Sequence, residues 1–317
     1  MNRREFMQAA LLAAVTAGCV RSSTEIEEHR PAPTAGIPRR PYKDGVKLSV
    51  VGLGGMVVAG LEQEEANRIV AESVERGVNY FEAAPTYGDA ELRLGPALEP
   101  YRDNVFLVCK TTQRDAAGAQ RELDQSLTRL RTDHLDLYQF HAVSTMEDVE
   151  KILAPGGAGE VFLKAREEGK VRFLGLSAHA EDPAIALMDR FECDSVLFPV
   201  NFICYAQGNF GPRLMQYAKE KGVARLALKA LAHGPWREGE TRSYHKCWYR
   251  PVSDRALARQ ALRFTLSEDV TALIPPGDEG LYRMALGLAS DLPPLSAAER
   301  RELLAGTEGL EPIFRTK

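Results

Sequence analysis

Four side chains that could move a proton stand at the ends of apolar runs. Val78-Asn79-Tyr80-Phe81-Glu82-Ala83-Ala84 alternates, then breaks into a small-residue turn that presents Glu82 and, just beyond, Tyr87. The run Val105-Phe106-Leu107-Val108-Cys109 ends in Lys110, and Leu135-Asp136-Leu137-Tyr138-Gln139-Phe140 ends in His141. An acid, a phenol, an ammonium and an imidazole at one mouth form a set suited to general acid–base chemistry. They meet only if neighbouring parallel strands carry them.

The surrounding sequence supplies such strands. Runs that are apolar almost throughout are buried on both faces, which implies a parallel sheet covered by helices. Leu48 to Gly54 is read as the first strand after an Asp44-Gly45 turn and a short hairpin. Helical spacing is visible over residues 63–76, 90–99, 116–130, 161–168, 183–191, 212–221, 254–267 and 281–289. Strand-like segments precede each of these, giving about eight β-then-α units, which fits a closed (β/α)8 TIM barrel of class α/β better than an open sheet. In that architecture chemistry sits at the C-terminal ends of the strands, where Glu82, Lys110 and His141 fall. The glycines of Gly52-Leu53-Gly54-Gly55 lack the spacing of a dinucleotide fingerprint and are read as a loop at the mouth, with Met56 facing the cavity.

Bulk properties exclude some partners. The chain has 317 residues, 44% hydrophobic, with a net charge of -4, so no basic field exists to hold nucleic acid. The five cysteines, Cys19, Cys109, Cys193, Cys204 and Cys247, are dispersed and include no CxxC pair. That spacing suits neither a zinc site nor a disulfide framework, and no metal is expected.

The N-terminus has its own signature. Arg3-Arg4-Glu5-Phe6-Met7 resembles a twin-arginine export pattern, and the apolar stretch to Ala17 is too short for a stable membrane span. Ala17-Gly18-Cys19 resembles a lipoprotein cleavage site, with Cys19 the residue acylated and tethered to a membrane. The expectation is an export signal over residues 1–19, a disordered linker over 20–42 and a barrel over 43–317. The protein would then be periplasmic or lipid-anchored, and folded before export. The oligomeric state is left open.

In order and spacing, Asn79-Tyr80-Phe81-Glu82 with Tyr87-Gly88, Leu123 to Leu130 before Asp136-Leu137-Tyr138, Lys170 to Ser177, Phe198-Pro199-Val200-Asn201 and Ile274-Pro275-Pro276-Gly277 resemble the aldo-keto reductases. The resemblance implies hydride transfer from NADPH or NADH to a small carbonyl substrate, with Tyr87 as general acid. Lys110 would lower the tyrosine pKa, as a nearby cation does, and His141 would bond the substrate oxygen. Glu82 stands where the family has aspartate, so the pairing charge survives with a displaced carboxylate. Cofactor contacts implied by the resemblance fall on Ser177, Asn201, Leu228, Lys229, Gly277 and Arg283. Ala178, Leu197 and Leu228 replace an asparagine, a glutamine and an aromatic that are frequent there. Asp278 and Glu279 occupy the 2′-phosphate region, which disfavours NADP and keeps NAD in view. Met56, His179 and Trp248 are candidate substrate-pocket residues, the last within a long aromatic loop over 236–251 whose basic residues favour an anionic substrate. The alternative reading is a non-catalytic barrel that binds a cofactor or ligand as a sensor or assembly partner.

Overall fold

The computed structural model describes residues 36–316. The export signal, Cys19 and most of the linker lie outside the described residues. Eight parallel strands run in sequence order around a barrel: β1 (Leu53–Gly54), β2 (Tyr80–Glu82), β3 (Phe106–Thr111), β4 (Leu135–Val143), β5 (Val171–Ala178), β6 (Ser195–Pro199), β7 (Ala224–Leu228) and β8 (Ala272–Ile274). The ring closes through a parallel bridge between Val51 and Leu273, with the Leu273 amide donating to the Val50 carbonyl at 3.0 Å. This is the TIM barrel expected from the alternation.

Period-two alternation sorts each strand between two cores. Tyr80, Phe106, Val108, Leu137, Phe173, Leu197, Leu226 and Ala272 pack together inside the barrel over Leu48. Phe81, Leu107, Cys109, Tyr138, Leu174 and Val196 face outward, toward the helices. Continuing the inward parity toward the strand ends gives Glu82, Lys110, His141, Ser177 and Leu228. The pattern that fills the core therefore delivers these side chains to the mouth.

The helices are α1 (Gln63–Glu75), α2 (Ala90–Leu98), α3 (Ala116–Leu130), α4 (Met146–Leu153), α5 (Ala158–Glu167), α6 (Glu181–Arg190), α7 (Phe202–Gly208), α8 (Pro212–Glu220), α9 (Arg255–Ser267), α10 (Glu279–Leu288) and α11 (Ala297–Ala305). Carboxylate caps fix several starts: Asp115 accepts from the Gly118 amide, Asp254 from Leu257 and Asp278 from Leu281. No helix of the described residues is long and apolar enough to cross a membrane.

Three expectations change. The stretch from Leu48 to Gly54 is not one strand. Lys47–Ser49 pairs antiparallel with Arg39–Pro41 in a hairpin beneath the barrel, so ordered structure begins inside the expected linker. The glycine-rich segment is closure geometry as well as mouth loop: a Cβ on Gly52 would lie 2.8 Å from the Tyr80 carbonyl oxygen, and one on Gly54 2.8 Å from Ile274 Cγ2. The long loop over 236–251 is anchored by an antiparallel pair, Ala232–Pro235 with Tyr249–Pro251. Helices α4, α7 and α11 were not foreseen.

Candidate active site

Strands β2, β3 and β4 bring the four proton-handling groups together. Lys110 is fully buried and forms an ion pair with Glu82, itself 2% exposed. Its amine also donates to the Tyr87 hydroxyl at 3.2 Å and to the Ala83 carbonyl at 3.5 Å. The Tyr87 hydroxyl in turn donates to Glu82 Oε1 at 3.2 Å. The His141 ring meets the Tyr87 ring edge-on at 5.7 Å, and its Nδ1 lies 3.5 Å from Thr86 Oγ1. Glutamate in place of aspartate thus reaches both partners.

Electrostatics overturn one expectation. Lys110 does not lower the tyrosine pKa; burial pushes the Tyr87 hydroxyl above its ordinary value, with smaller contributions from Tyr80 and Cys109. The hydroxyl is held away from solvent beside Glu82 and Lys110. Desolvation then decides the sign. Burial, and behind it the charge of Lys229, pulls Lys110 well below its usual range. Burial first, then Lys110, brings His141 down to about 2, so its ring is neutral at physiological pH. A neutral imidazole can donate one hydrogen bond without carrying charge.

His141 is held by its backbone. Arg114 Nη2 donates to the His141 carbonyl at 2.8 Å while Nε donates to Asp148 at 2.9 Å. The next residue, Ala142, has a positive φ of 54°, and its amide donates to Ser177 Oγ at 2.9 Å. Left-handed backbone at a non-glycine residue is held only by such surroundings.

These groups line a cavity of about 330 Å³, within the range of small-molecule sites. Met56, Ser177, His179, Leu228, Lys229, Trp248 and Gly277 all face it. His179 stacks on Phe314 at 5.2 Å, and Trp248 meets Phe314 at 5.8 Å, so the C-terminal segment forms part of the rim. Two expected cofactor contacts are elsewhere. Asn201 caps α7, accepting from the Ile203 and Cys204 amides, and its Nδ2 donates to the carbonyls of Lys229 at 3.1 Å and Ala232 at 2.7 Å. Every polar atom of that side chain is spent on backbone. Arg283 lies outside the lining and pairs with Glu72 at 3.2 Å and Glu65 at 3.3 Å, both on α1.

Sequence reasoning missed Arg114, Thr86 and Phe314, and placed Lys246 and Tyr249 only within the long loop over 236–251. Lys246 Nζ donates to the Val57 carbonyl at 2.9 Å and pairs with Glu279 at 3.4 Å, tying the long loop across the mouth. The aromatic density of that loop was the available signal. Arg114 and Phe314 have none, because their partners lie far away in sequence. No cluster of three metal-ligating side chains occurs among the described residues.

Barrel, strand-end quartet and mouth loops together place an acid, a phenol, an amine and an imidazole around one cavity, and comparison with known proteins identifies the family. Residues 50–276 match the model of the Aldo/keto reductase family, and the chain belongs to that family. It is 31% identical over 145 residues to the uncharacterized oxidoreductase YqkF of Bacillus subtilis (strain 168), a stretch covering 41% of this chain and 45% of that one. It is 26% identical over 208 residues to the L-galactose dehydrogenase of Arabidopsis thaliana, covering 60% and 64%. The chain thus spans roughly half to two-thirds of the length of these relatives. Among solved structures, the aldo-keto reductase AKR11C1 from Bacillus halodurans (holo form) superposes with a TM-score of 0.67 at 22% identity, covering 89% of this chain and 100% of that one. This last likeness speaks to the fold.

Proposed function

We propose that the protein reduces an aldehyde or ketone, or oxidises the corresponding alcohol, using a nicotinamide nucleotide, with Tyr87 as the general acid. The observation that carries this reading is the interlocked Glu82–Lys110–Tyr87 triangle facing the cavity. A raised tyrosine pKa keeps the phenol protonated across the neutral range, and an alkoxide forming on the substrate is a far stronger base than the phenolate left behind. Lys110 then donates its hydrogen bond to the phenolate oxygen, and the neutral His141 ring donates to the same substrate oxygen.

The lining suits a nicotinamide ring and a small substrate. Leu197, Leu228 and Ile274 offer apolar surface, and Ser177, Gly277 and Lys246 also line the cavity. Those residues would hold the nucleotide, which supplies the hydride when bound. Arg283 is committed to Glu65 and Glu72, and Asp278 to its helix cap, so the region offers little to a 2′-phosphate. NADH should therefore compete well with NADPH. The test is nicotinamide absorbance with an aldehyde panel: consumption that vanishes in Tyr87→Phe supports the reading. Nucleotide binding with no turnover on any aldehyde or alcohol favours the ligand-binding alternative.

We also propose that residues 1–19 direct export of the folded barrel, with Cys19 as the lipid-bearing residue. The adjacent arginines and the Ala-Gly-Cys ending support this. Intact mass of the mature N-terminus tests it: retention of Met1 on membrane-free protein would sink the idea.

A further inference from the structure

Three amines line the cavity, Lys110, Lys229 and Lys246, against a single carboxylate, Glu82. Lys110 is answered by Glu82 and Lys246 by Glu279. Lys229 pairs with no carboxylate among the described residues; its amine lies over the faces of Trp248 at 5.4 Å and Tyr249 at 5.0 Å. Cation–π contacts recover only part of what withdrawing an ion from water costs. The rings orient the ammonium without neutralising it. Burial brings Lys229 down to about 8, which leaves it mostly protonated near neutrality.

The backbone is built to keep it there. Lys229 adopts a φ of 65°, and its carbonyl accepts from Asn201 Nδ2 at 3.1 Å and from the Ala232 amide at 2.9 Å. Left-handed backbone at a lysine is strained and persists only where its surroundings hold it. Its charge is felt by His179, His141 and Lys110, which places it toward the reacting end of the cavity.

We propose that Lys229, framed by Trp248 and Tyr249, receives an anionic group, and that this group is the carboxylate of a carbonyl-bearing acid. The inference rests on the reductase reading and names its substrate class. A nucleotide phosphate is the other source of the same chemistry. The surroundings of Lys229 favour the substrate: its charge acts on His141 and Lys110, the groups beside Tyr87, whereas Lys246 is already bound to the Val57 carbonyl and Glu279.

The test compares 4-carboxybenzaldehyde with 4-nitrobenzaldehyde in the wild type, Lys229→Met and Lys229→Arg, with calorimetric binding of 4-carboxybenzyl alcohol alongside. Lys229→Met should lower kcat/KM for the carboxylated aldehyde about 100-fold, the scale of an unpaired buried charge contact. The nitro compound should lose far less, and Lys229→Arg should recover most of the carboxylate preference. A rise in nucleotide KM that is equal for both aldehydes would keep the anion site and overturn its assignment to substrate. Equal losses for both aldehydes, with nucleotide KM unmoved, would overturn the inference whole. If neither aldehyde turns over, the reductase reading fails separately and calorimetry decides alone. Binding of the carboxylated alcohol that is lost in Lys229→Met supports the anion site; binding that is equal in both proteins overturns it.

Discussion

The cavity wall formed by β2, β3 and β4 is polar and interlocked, while the wall formed by β5 to β8 is mostly apolar and loosely furnished. On the first, Glu82, Lys110 and Tyr87 each bond the other two. On the second, Ser177, His179 and Lys229 stand apart from one another beside the apolar strand-end residues Leu197, Leu228 and Ile274. The same inward parity placed both sets. The difference is that proton handling needs groups within hydrogen-bond reach of one another, whereas holding a flat ring needs only shape and a few anchors. The first wall therefore tolerates little change, and the second can vary while the fold and the reaction type persist.

The sharpest way to break this contrast is to remove the phenol. Tyr87→Phe should lower kcat on any accepted aldehyde by about 10²- to 10⁴-fold with little loss of stability, because its hydroxyl bonds only partners that also bond each other. Stopped-flow or steady-state absorbance at fixed nucleotide checks it. A variant retaining wild-type kcat would remove the first wall from the mechanism. Next in size is Arg114, which does not itself line the cavity but bonds the His141 carbonyl. Arg114→Leu frees the His141 carbonyl and Asp148 together, and should cost about 1.5–3 kcal/mol of stability for charge-assisted bonds. Its effect on kcat should exceed its effect on KM, since the His141 ring is misplaced rather than lost. Lys at this position keeps one bond and should restore part of both; a purely structural role would lower stability and leave the kcat-to-KM split unmoved.

Much of this was legible in the sequence because it is periodic. Val105 to Lys110 and Leu135 to His141 announce strand, parity and terminal side chain in one pattern, and α3 follows the Leu123–Leu127–Leu130 spacing. What escaped has no local period. Asn201 was read as a cofactor contact because of where it stands, yet its amide closes onto carbonyls 28 to 31 residues away. Arg114 acts 27 residues along the chain and Phe314 packs from the far C-terminus. Short helices such as α7, seven residues long, fall below the length at which an apolar stripe shows itself. The direction of the Tyr87 shift escaped for another reason: it is set by burial, and the sequence reveals the cation and its partner Glu82 but not how completely the hydroxyl is withdrawn from water.

The Tyr87–Glu82 contact suggests a gain-of-function test on the first wall. In the resting geometry the Tyr87 proton points at Glu82 Oε1, so a tyrosine acting as the proposed general acid must give up that bond before it reaches a substrate. Glu82→Asp withdraws the carboxylate by one methylene and should release the hydroxyl while leaving Lys110 a partner. A bond worth about 0.5–1.5 kcal/mol corresponds to roughly a two- to tenfold rise in kcat. A fall in kcat would show that the bond to Glu82 orients the phenol productively.

Acid sensitivity joins the two walls, since His141 belongs to the first and His179 to the second. Burial brings their folded values down to about 2 and about 4 respectively, from 6.5 unfolded. Below 6.5 the unfolded chain binds protons the folded chain does not, so stability is lost as pH falls toward those folded values. Melting temperature should drop between pH 6.5 and 4, and less so in a His141→Gln, His179→Gln double variant. The acid limb of kcat/KM should carry no inflection near 6.5 from His141; one that disappears in His141→Gln would contradict its neutral state.

The smallest expected effect lies outside both walls. Glu65 and Glu72 hold Arg283 against α1, and both pairs are partly exposed, so each contributes only about 0–1 kcal/mol. Replacing both with glutamine leaves the fold intact and frees a guanidinium one turn into α10, near where a 2′-phosphate would be met. The NADPH-to-NADH preference should rise a few-fold, read as the ratio of kcat/KM values, and the gain should shrink in high salt because the new contact is a screened surface charge. No change in the ratio would mean that Asp278 and Glu279, not the captivity of Arg283, set the nucleotide preference, and Glu279→Lys would then be the change that moves it.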